Sequence, residues 1–313
     1  MKSCSFPEGK LISIIVLSYN SANTILDTLN SIERQTYYKE DIDIYISDDS
    51  SEDDSLNIAN EWARIHSKKF RNVHVLTTEI NSGICANCNN ALKFINEGWV
   101  KIIAADDILM DSCLESNYEY IKCNPEAKFV LSNVELFSNG NNRTNIKKLD
   151  VNFFSLDVNK QHRYIIFRSL SNTPSAFISS KVFNTIGLMD ETFPMMEDYP
   201  LWFRTTQAGI KIHYLDELTV RYRIGDSISR TSSELIPLKF TELCLRVDNE
   251  LVLKSSSKKL YGLVRVKIML TQLALKVSKI FNNKPNFISK FLMKMIFISS
   301  KMYSILISKV VVL

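Results

Sequence analysis

Along the first third of the chain, unbroken apolar runs alternate with apolar residues spaced three and four apart. LISIIVLSYN, residues 11–20, is a near-continuous apolar run, the pattern of a strand buried on both faces of a parallel sheet. Ile25, Leu26, Leu29 and Ile32 follow at helical spacing, behind the cap candidates Ser21 and Asn23. DIDIYISDDS predicts a second strand ending in acids, with a helix from about Asp54 to His66 after it. NVHVLTT predicts a third strand, GICANCNNALKFINEG a third helix and WVKIIAADD a fourth strand. The alternation predicts an α/β fold: an open, mostly parallel sheet flanked by helices.

Past Asp111 the pattern loosens. A helix over about Ser112–Cys123 leads to the strand FVLSNVELF and the Asn-rich segment NGNNRTN, a predicted surface loop. SAFISS predicts a short strand and KVFNTIG a short helix ended by Gly187. In FPMMEDYPLWFRTTQAG, Pro200 suits the first turn of a helix and Gly209 its end. IKIHYLD and LTVRYRI predict two closing strands, and the chain reads as helical from about Leu235, with Pro285 as the break. The expected organisation is a first half over 1–110 and a second half over 111–232 of one domain, then a helical tail over 233–313.

Open parallel sheets bind ligands beyond the carboxyl ends of their strands. Polar clusters fall at four such ends: Ser18-Tyr19-Asn20, Ser47-Asp48-Asp49-Ser50, Glu79-Ile80-Asn81 and Asp106-Asp107. Together they outline one pocket. No G-x-x-x-x-G-K-[ST] and no G-x-G-x-x-G follows the first strand, which removes the main support for P-loop and dinucleotide sites. A nucleotide's base and ribose can instead be held by carboxylates, and its phosphates by a metal. Asp106-Asp107 fits that need, because oxygen donors suit Mg²⁺ or Mn²⁺ with ligand phosphates completing the shell. The competing reading is a strand-end pair, one Asp capping the next helix and the other solvated.

Charge changes the picture at the far end. Of the 38 Lys and Arg residues, 12 lie in 251–313, where there is no Asp or Glu; the first 250 residues carry 26 basic and 34 acidic side chains. A basic tail on an acidic body implies a polyanionic partner. The tail's lysines recur every few residues among Leu, Ile, Met and Phe, so no 18-residue stretch lacks charge and a spanning helix is disfavoured. Amphipathic helices of this kind match an anionic membrane surface. The alternative is packing on the catalytic body with the lysines as a wet face. Nucleic acid is disfavoured, the segment being too apolar for a solvated basic arm. Six cysteines show no zinc spacing, and Cys85-Ala-Asn-Cys88 lacks the strand context of a redox motif. No leader-like segment precedes them, so reduced cytosolic thiols are expected.

In chain order, IIVLSYNSANTILDTLNSIERQT, ISDDSSEDDS, NSGICANCNNAL, IIAADDIL, NTPSAFISSKVFNTIGLMDE and MEDYPLWFR resemble inverting nucleotide-sugar glycosyltransferases. These have the Rossmann-like GT-A fold and build bacterial surface polysaccharides of the O-antigen and lipopolysaccharide type. The likeness covers roughly residues 11–225. It implies that Tyr19, Asn20, Asp48 and Asp49 hold the nucleotide base, and that Asn81 and Gly83 shape a loop over base and ribose. Asp106 and Asp107 become the metal-ligating part of a D-x-D motif, Asp106 also meeting the nucleotide. Glu197-Asp198 becomes the acceptor-side acidic pair, with Asp198 as general base. Trp202 is a candidate acceptor-sugar platform, core packing being the other reading. The implied donor is a nucleoside diphosphate sugar, a UDP-sugar favoured. The implied acceptor is a lipid-linked glycan at the inner face of the membrane, with the enzyme cytoplasmic and peripheral.

The chain departs from this family's pattern in three places. Ala104 stands where a further acid is usual, Asn87-Cys88-Asn89 lacks the usual arginine, and Tyr222–Ser227 contains no metal-ligating histidine. His213 lies in a strand-like run, where packing is the expected role. A nucleotidyltransferase would need a Gly- and Lys-rich first loop that is absent. From another class, a catalytically silent nucleotide- or sugar-binding module of an assembly complex remains the alternative.

Overall fold

The computed structural model describes residues 10–138, 141–170, 173–224 and 234–312. Two compact units divide the chain: Met1–Val158 with Leu170–Ile224, and Asn159–Ser169 with Gly225–Leu313. The expected boundary at 232/233 lies outside the described residues.

The first unit opens with β1 (Ile12–Ser18), α1 (Ile25–Glu33), β2 (Ile42–Asp48), α2 (Ser55–His66), β3 (Asn72–Thr77), α3 (Ile84–Leu92) and β4 (Trp99–Ala104), as the alternation predicts. Every residue of β1 and β2 is buried, in keeping with their unbroken apolar runs. Helix α1 starts one turn later than the caps Ser21 and Asn23 imply. Thr24 stands at the cap without a side-chain bond to the helix amides, its hydroxyl donating instead to the Ser21 carbonyl, which also accepts the Thr24 and Ile25 amides. The chain continues through β5 (Ile108–Leu109), α4 (Cys113–Cys123), β6 (Phe129–Ser138), β7 (Asn141–Lys147), α5 (Val151–Ser155) and α6 (Val158–Phe167). Then come β8 (Phe177–Ser179), α7 (Ser180–Ile186), α8 (Asp198–Gln207) and β9 (Ile212–Arg223).

The strands form a single sheet in the order β3-β2-β1-β4-β8-β6-β9-β5, with β7 on β6. β3, β2, β1 and β4 run parallel, β8 is antiparallel to both neighbours, and β6 and β9 are parallel. The chain walks outward from β1 to β3 and returns to place β4 on the other side of β1. That reversal opens a crevice at the carboxyl ends of β1 and β4. The core beneath it joins Ile14 and Val16 of β1, Ile44 and Ile46 of β2, Leu29 and Ile32 of α1, and Ile103 of β4.

Two expectations change. NNRTN, expected as loop, opens β7, which pairs antiparallel with β6; Asn139 and Gly140 lie outside the described residues. The two expected closing strands are one twelve-residue strand, β9. Its register against β6 jumps from Ser132↔Leu215 to Asn133↔Leu218, so Asp216 and Glu217 are accommodated as a bulge. Asn133 Nδ2 and the Tyr214 hydroxyl both donate to Asp216 Oδ1 there, at 2.9 and 2.8 Å.

The second unit is helical: the segment after Val158, then α9 (Leu238–Val247), a π-helical stretch over Asp248–Leu253, α10 (Lys258–Ile280) and α11 (Phe287–Val312). Its core contains Ile236, Ala274, Leu275, Val277, Met293 and Ile296. The turn between α10 and α11 holds Asn282 and Asn283 at φ 50° and 55°, a region asparagine tolerates better than most residues. Asn283 Oδ1 accepts from the Ile236 amide and the Ser278 hydroxyl, fixing that turn. Among the described residues no helix is long and apolar enough to cross a membrane.

Candidate active site

The four strand-end clusters do converge, but their side chains divide the work unequally. Asp48 is buried; its carboxylate accepts from the Ser18 hydroxyl at 3.0 Å and from the Ser51 amide and hydroxyl at 2.8 and 2.6 Å. Asn20, at φ 48°, donates its amide to Ser51 Oγ and accepts from the Glu52 amide. Both residues therefore staple the loop after β1 to the loop after β2. Asp49 is also buried. It accepts from the Thr78 hydroxyl and from the Ser82 and Gly83 amides, at 3.0, 2.9 and 2.8 Å. Those bonds fold the 78–83 loop against β2. Gly83 is required in it: its φ is +87°, and a Cβ would lie 3.1 Å from the Pro194 carbonyl oxygen. Asn81 is exposed, its Oδ1 3.2 Å from the Gly83 amide. Tyr19 is 47% exposed at the crevice and offers a free ring face.

After β4 burial alternates residue by residue: Ala104 and Asp106 are half-buried, Ala105 and Asp107 buried. The Asp107 amide donates to the Ala104 carbonyl at 3.1 Å, so the chain turns over 104–107, leaving Asp106 the more accessible acid and Asp107 buried. Asp107 Oδ1 accepts from the Arg223 amide at 2.8 Å, and Oδ2 is buried with no partner among the described residues. Burial pushes the Asp107 carboxyl up to about 8, the adjacent Asp106 charge adding to it against Arg223 and Lys101. Burial raises Asp106 too, opposed by the Arg223 charge. Arg223 Nε donates to the Asp106 carbonyl at 2.8 Å, and its Nη2 lies 3.7 Å from Asp27. A fixed cation from the end of β9 thus compensates this acidic pair.

Further along the chain, Glu197 and Asp198 open α8 and are half-buried. Neither caps the helix through its side chain at the N-cap position. Asp198 Oδ2 accepts from the Thr173 hydroxyl at 2.6 Å, while Oδ1 is buried without an amide or hydroxyl donor among the described residues. Burial holds Glu197 well above the ordinary glutamate range, and the Asp198 charge and a bond between the two carboxyls push the same way. Burial also raises Asp198, but there the bonds from Glu197 and Thr173 oppose it. Glu197 is therefore the member that keeps the proton and Asp198 the one that ionises first.

Trp202 is 1% exposed and its indole nitrogen has no partner among the described residues, so it packs as a core residue. A sugar platform needs an open ring face, which excludes the acceptor role expected for it. His213 packs edge-on against Tyr120, and burial lowers it. Cys85 and Cys88 are free, buried thiols pushed up by burial, unlike a redox pair. Gly225, Asp226 and Ser227 lie outside the described residues.

Three contributors escaped the sequence reading. Arg223 and Thr173 lie far along the chain from the acids they meet. Lys101 is fully buried on β4; its Nζ donates to the Pro174 carbonyl at 2.6 Å and the Ala176 carbonyl at 3.4 Å. It fastens the turn that carries Thr173. A lysine inside an otherwise apolar strand was the available signal, since lysines are rarely buried without partners.

This sheet, with its crevice at the β1/β4 reversal, acids after β2 and β4 and an acidic pair at a helix start, is the GT-A architecture of sugar-transferring enzymes. The chain belongs to Glycosyl transferase family 2, whose signature matches residues 13–182. Among relatives, it is 25% identical over 216 residues to the uncharacterized glycosyltransferase MJ1057 of Methanocaldococcus jannaschii, covering 68% of this chain and 71% of that one. It is 26% identical over 233 residues to WfaP of Escherichia coli, a UDP-Glc:alpha-D-GlcNAc-diphosphoundecaprenol beta-1,3-glucosyltransferase, covering 72% and 83%. Some relatives are longer: the chain spans 34% of an uncharacterized Rickettsia felis glycosyltransferase. The crystal structure of S. aureus TarS 1-349 with UDP-GlcNAc superposes with a TM-score of 0.63 at 18% identity, covering 94% of this chain and 81% of that one.

Proposed function

We propose that this glycosyltransferase moves a sugar from a UDP-sugar to a hydroxyl of a lipid-linked bacterial surface glycan, with inversion and metal assistance. The observation that carries the reading is Asp198: a carboxylate bonded by the Thr173 hydroxyl, set beside Glu197 at the start of α8, with burial raising both acids. A base works best with an affinity for protons near the working pH, and burial moves Asp198 in that direction. In this mechanism Asp198 takes the acceptor's proton as its oxygen attacks the anomeric carbon. A single displacement then inverts that centre. The first-turn amides of α8 favour the charged form of Asp198.

On the donor side Tyr19 stacks on the base and the 78–83 loop, held by Asp49, closes over base and ribose. Asp106 is the carboxylate that would hold a Mn²⁺ or Mg²⁺ ion. Asp107 is turned inward and leaves that role to its neighbour. One carboxylate plus a substrate diphosphate is an ordinary donor set for such an ion. Among the described residues no group of three or more His, Cys, Asp or Glu forms a preassembled metal site, consistent with an ion that arrives with its substrate. When bound, the ion supplies charge stabilisation to the departing diphosphate.

The donor and acceptor classes follow the names of TarS's ligand and of WfaP. A lipid-linked acceptor places the enzyme at the cytoplasmic face of the membrane, with the basic tail against anionic lipid. Thermal shift with UDP-Glc and UDP-GlcNAc, with and without Mn²⁺, tests the donor site: a metal-dependent gain in Tm that vanishes in Asp106→Asn is expected. Asp198→Asn should keep that gain and lose transfer by about 10²–10⁴-fold. Transfer at the parent's rate by this variant refutes the base assignment.

A further inference from the structure

The C-terminal helix α11 has two apolar faces, and among the described residues only one is used within its unit. Met293 and Ile296 are buried with Ala274, Leu275 and Val277 of α10, and Ser289 is fully buried on the same side. The Tyr303 hydroxyl, also on that side, donates to the Leu263 carbonyl at 2.8 Å. On the opposite side, Phe287, Phe291, Met295, Ile298, Met302 and Leu306 recur at intervals of four, four, three, four and four residues. At about 100° per residue these fall within one stripe about 100° wide. All six are exposed, from 44% at Ile298 to 87% at Phe287.

Lysines follow one flank of that stripe. Lys290, Lys294 and Lys301 line a groove of about 410 Å³ together with Leu235, Phe297 and Ile298. A second copy of the chain is a poor occupant, since it would bring one acid-free, 12-fold basic tail segment against another. An anionic bilayer surface matches both features. Its acyl boundary takes the apolar stripe, and its phosphates meet ammonium groups that reach outward on their own alkyl stems.

Resting on the membrane reading above, we infer that α11 is the docking element. It lies flat in the interface over about 39 Å, stripe inward and the Lys290–Lys294–Lys301 flank at the headgroups. Helix α10 stays on the protein side. A helix start fixed by the protein itself supports a preformed rather than induced element. Asn286 Oδ1 accepts from the Ser289 amide, and Ser289 Oγ accepts from the Asn286 amide in return, at 2.9 and 2.8 Å.

Flotation of the full chain with phosphatidylcholine vesicles, with and without 30% phosphatidylglycerol, tests this. The parent should float only with the anionic vesicles, and high salt should release it. A triple variant, Phe291→Gln, Met295→Gln and Met302→Gln, should bind about a hundredfold more weakly while its circular dichroism and Tm stay those of the parent. If the parent fails to float, the membrane reading and this inference both fall. If the parent floats and the triple variant floats equally well, only the assignment of the face is overturned. A dimer in light scattering that the triple variant dissociates makes a second copy the occupant and also overturns it.

Discussion

Thr173→Val isolates one hydrogen bond. Valine keeps the shape of threonine and removes the hydroxyl that donates to Asp198 Oδ2 at 2.6 Å. The other carboxylate oxygen has no amide or hydroxyl donor among the described residues, so little can replace the lost bond. A hydrogen bond to a charged group contributes about 1.5–3 kcal/mol, roughly 10- to 150-fold in rate if it acts fully on the ionised base. The bond favours ionised Asp198, so its loss raises this carboxyl further above its ordinary range. In kcat against pH, the acidic limb should then move to higher pH, and raising the pH should recover part of the rate. UDP release with acceptor present, measured across pH, reads both effects. Thermal shift with the donor alone should match the parent, and Thr173→Ser should restore rate and profile together. A rate within twofold of the parent with an unmoved limb would sink the idea that Thr173 tunes the base.

Asp107 makes a stability prediction. Its folded-state affinity for the proton, about 8, exceeds the unfolded value of 3.8, so folding takes up a proton in between. The stability that Asp107 contributes is greatest below about 4, falls as pH rises toward 8, and levels off above that. In the metal-free protein, Asp107→Asn should flatten this fall by up to about 4 kcal/mol at pH 7, read from urea midpoints between pH 5 and 9; parallel profiles would contradict it. For Trp202, burial predicts that Trp202→Phe lowers Tm yet leaves the acceptor KM within about twofold, while Trp202→Ala costs about 3–5 kcal/mol. A raised acceptor KM at unchanged Tm would return Trp202 to the site.

The first half of the fold was legible because β1 and β2 are buried along their whole length, the edge strand β3 alternates polar and apolar residues, and each helix has one apolar stripe. The second half breaks those rules. In β9 the polar pair Asp216-Glu217 interrupts the strand pattern and reads as a turn, whereas register slippage against β6 absorbs it. Helices α5 and α6 went unread because their apolar residues cluster at the ends of polar stretches such as Val158–Phe167. At the candidate site, residue types marked four loops at one sheet edge but not the bonds their side chains make. Asp48, Asp49 and Asn20 spend their hydrogen bonds on neighbouring loops, partners that no local pattern reveals. The burial of Asp107 is set by the turn over 104–107, and its partner Arg223 lies 116 residues away.

Lys101 carries a consequence of its own. Its amine is sealed between β4 and the carbonyls of Pro174 and Ala176 and meets solvent only when that part of the sheet opens. An acylating reagent that quickly marks the tail's exposed lysines will reach Lys101 only at the rate of that opening. The residue is a built-in clock for the breathing of the catalytic unit, and a bound donor that steadies the ends of the strands should slow it.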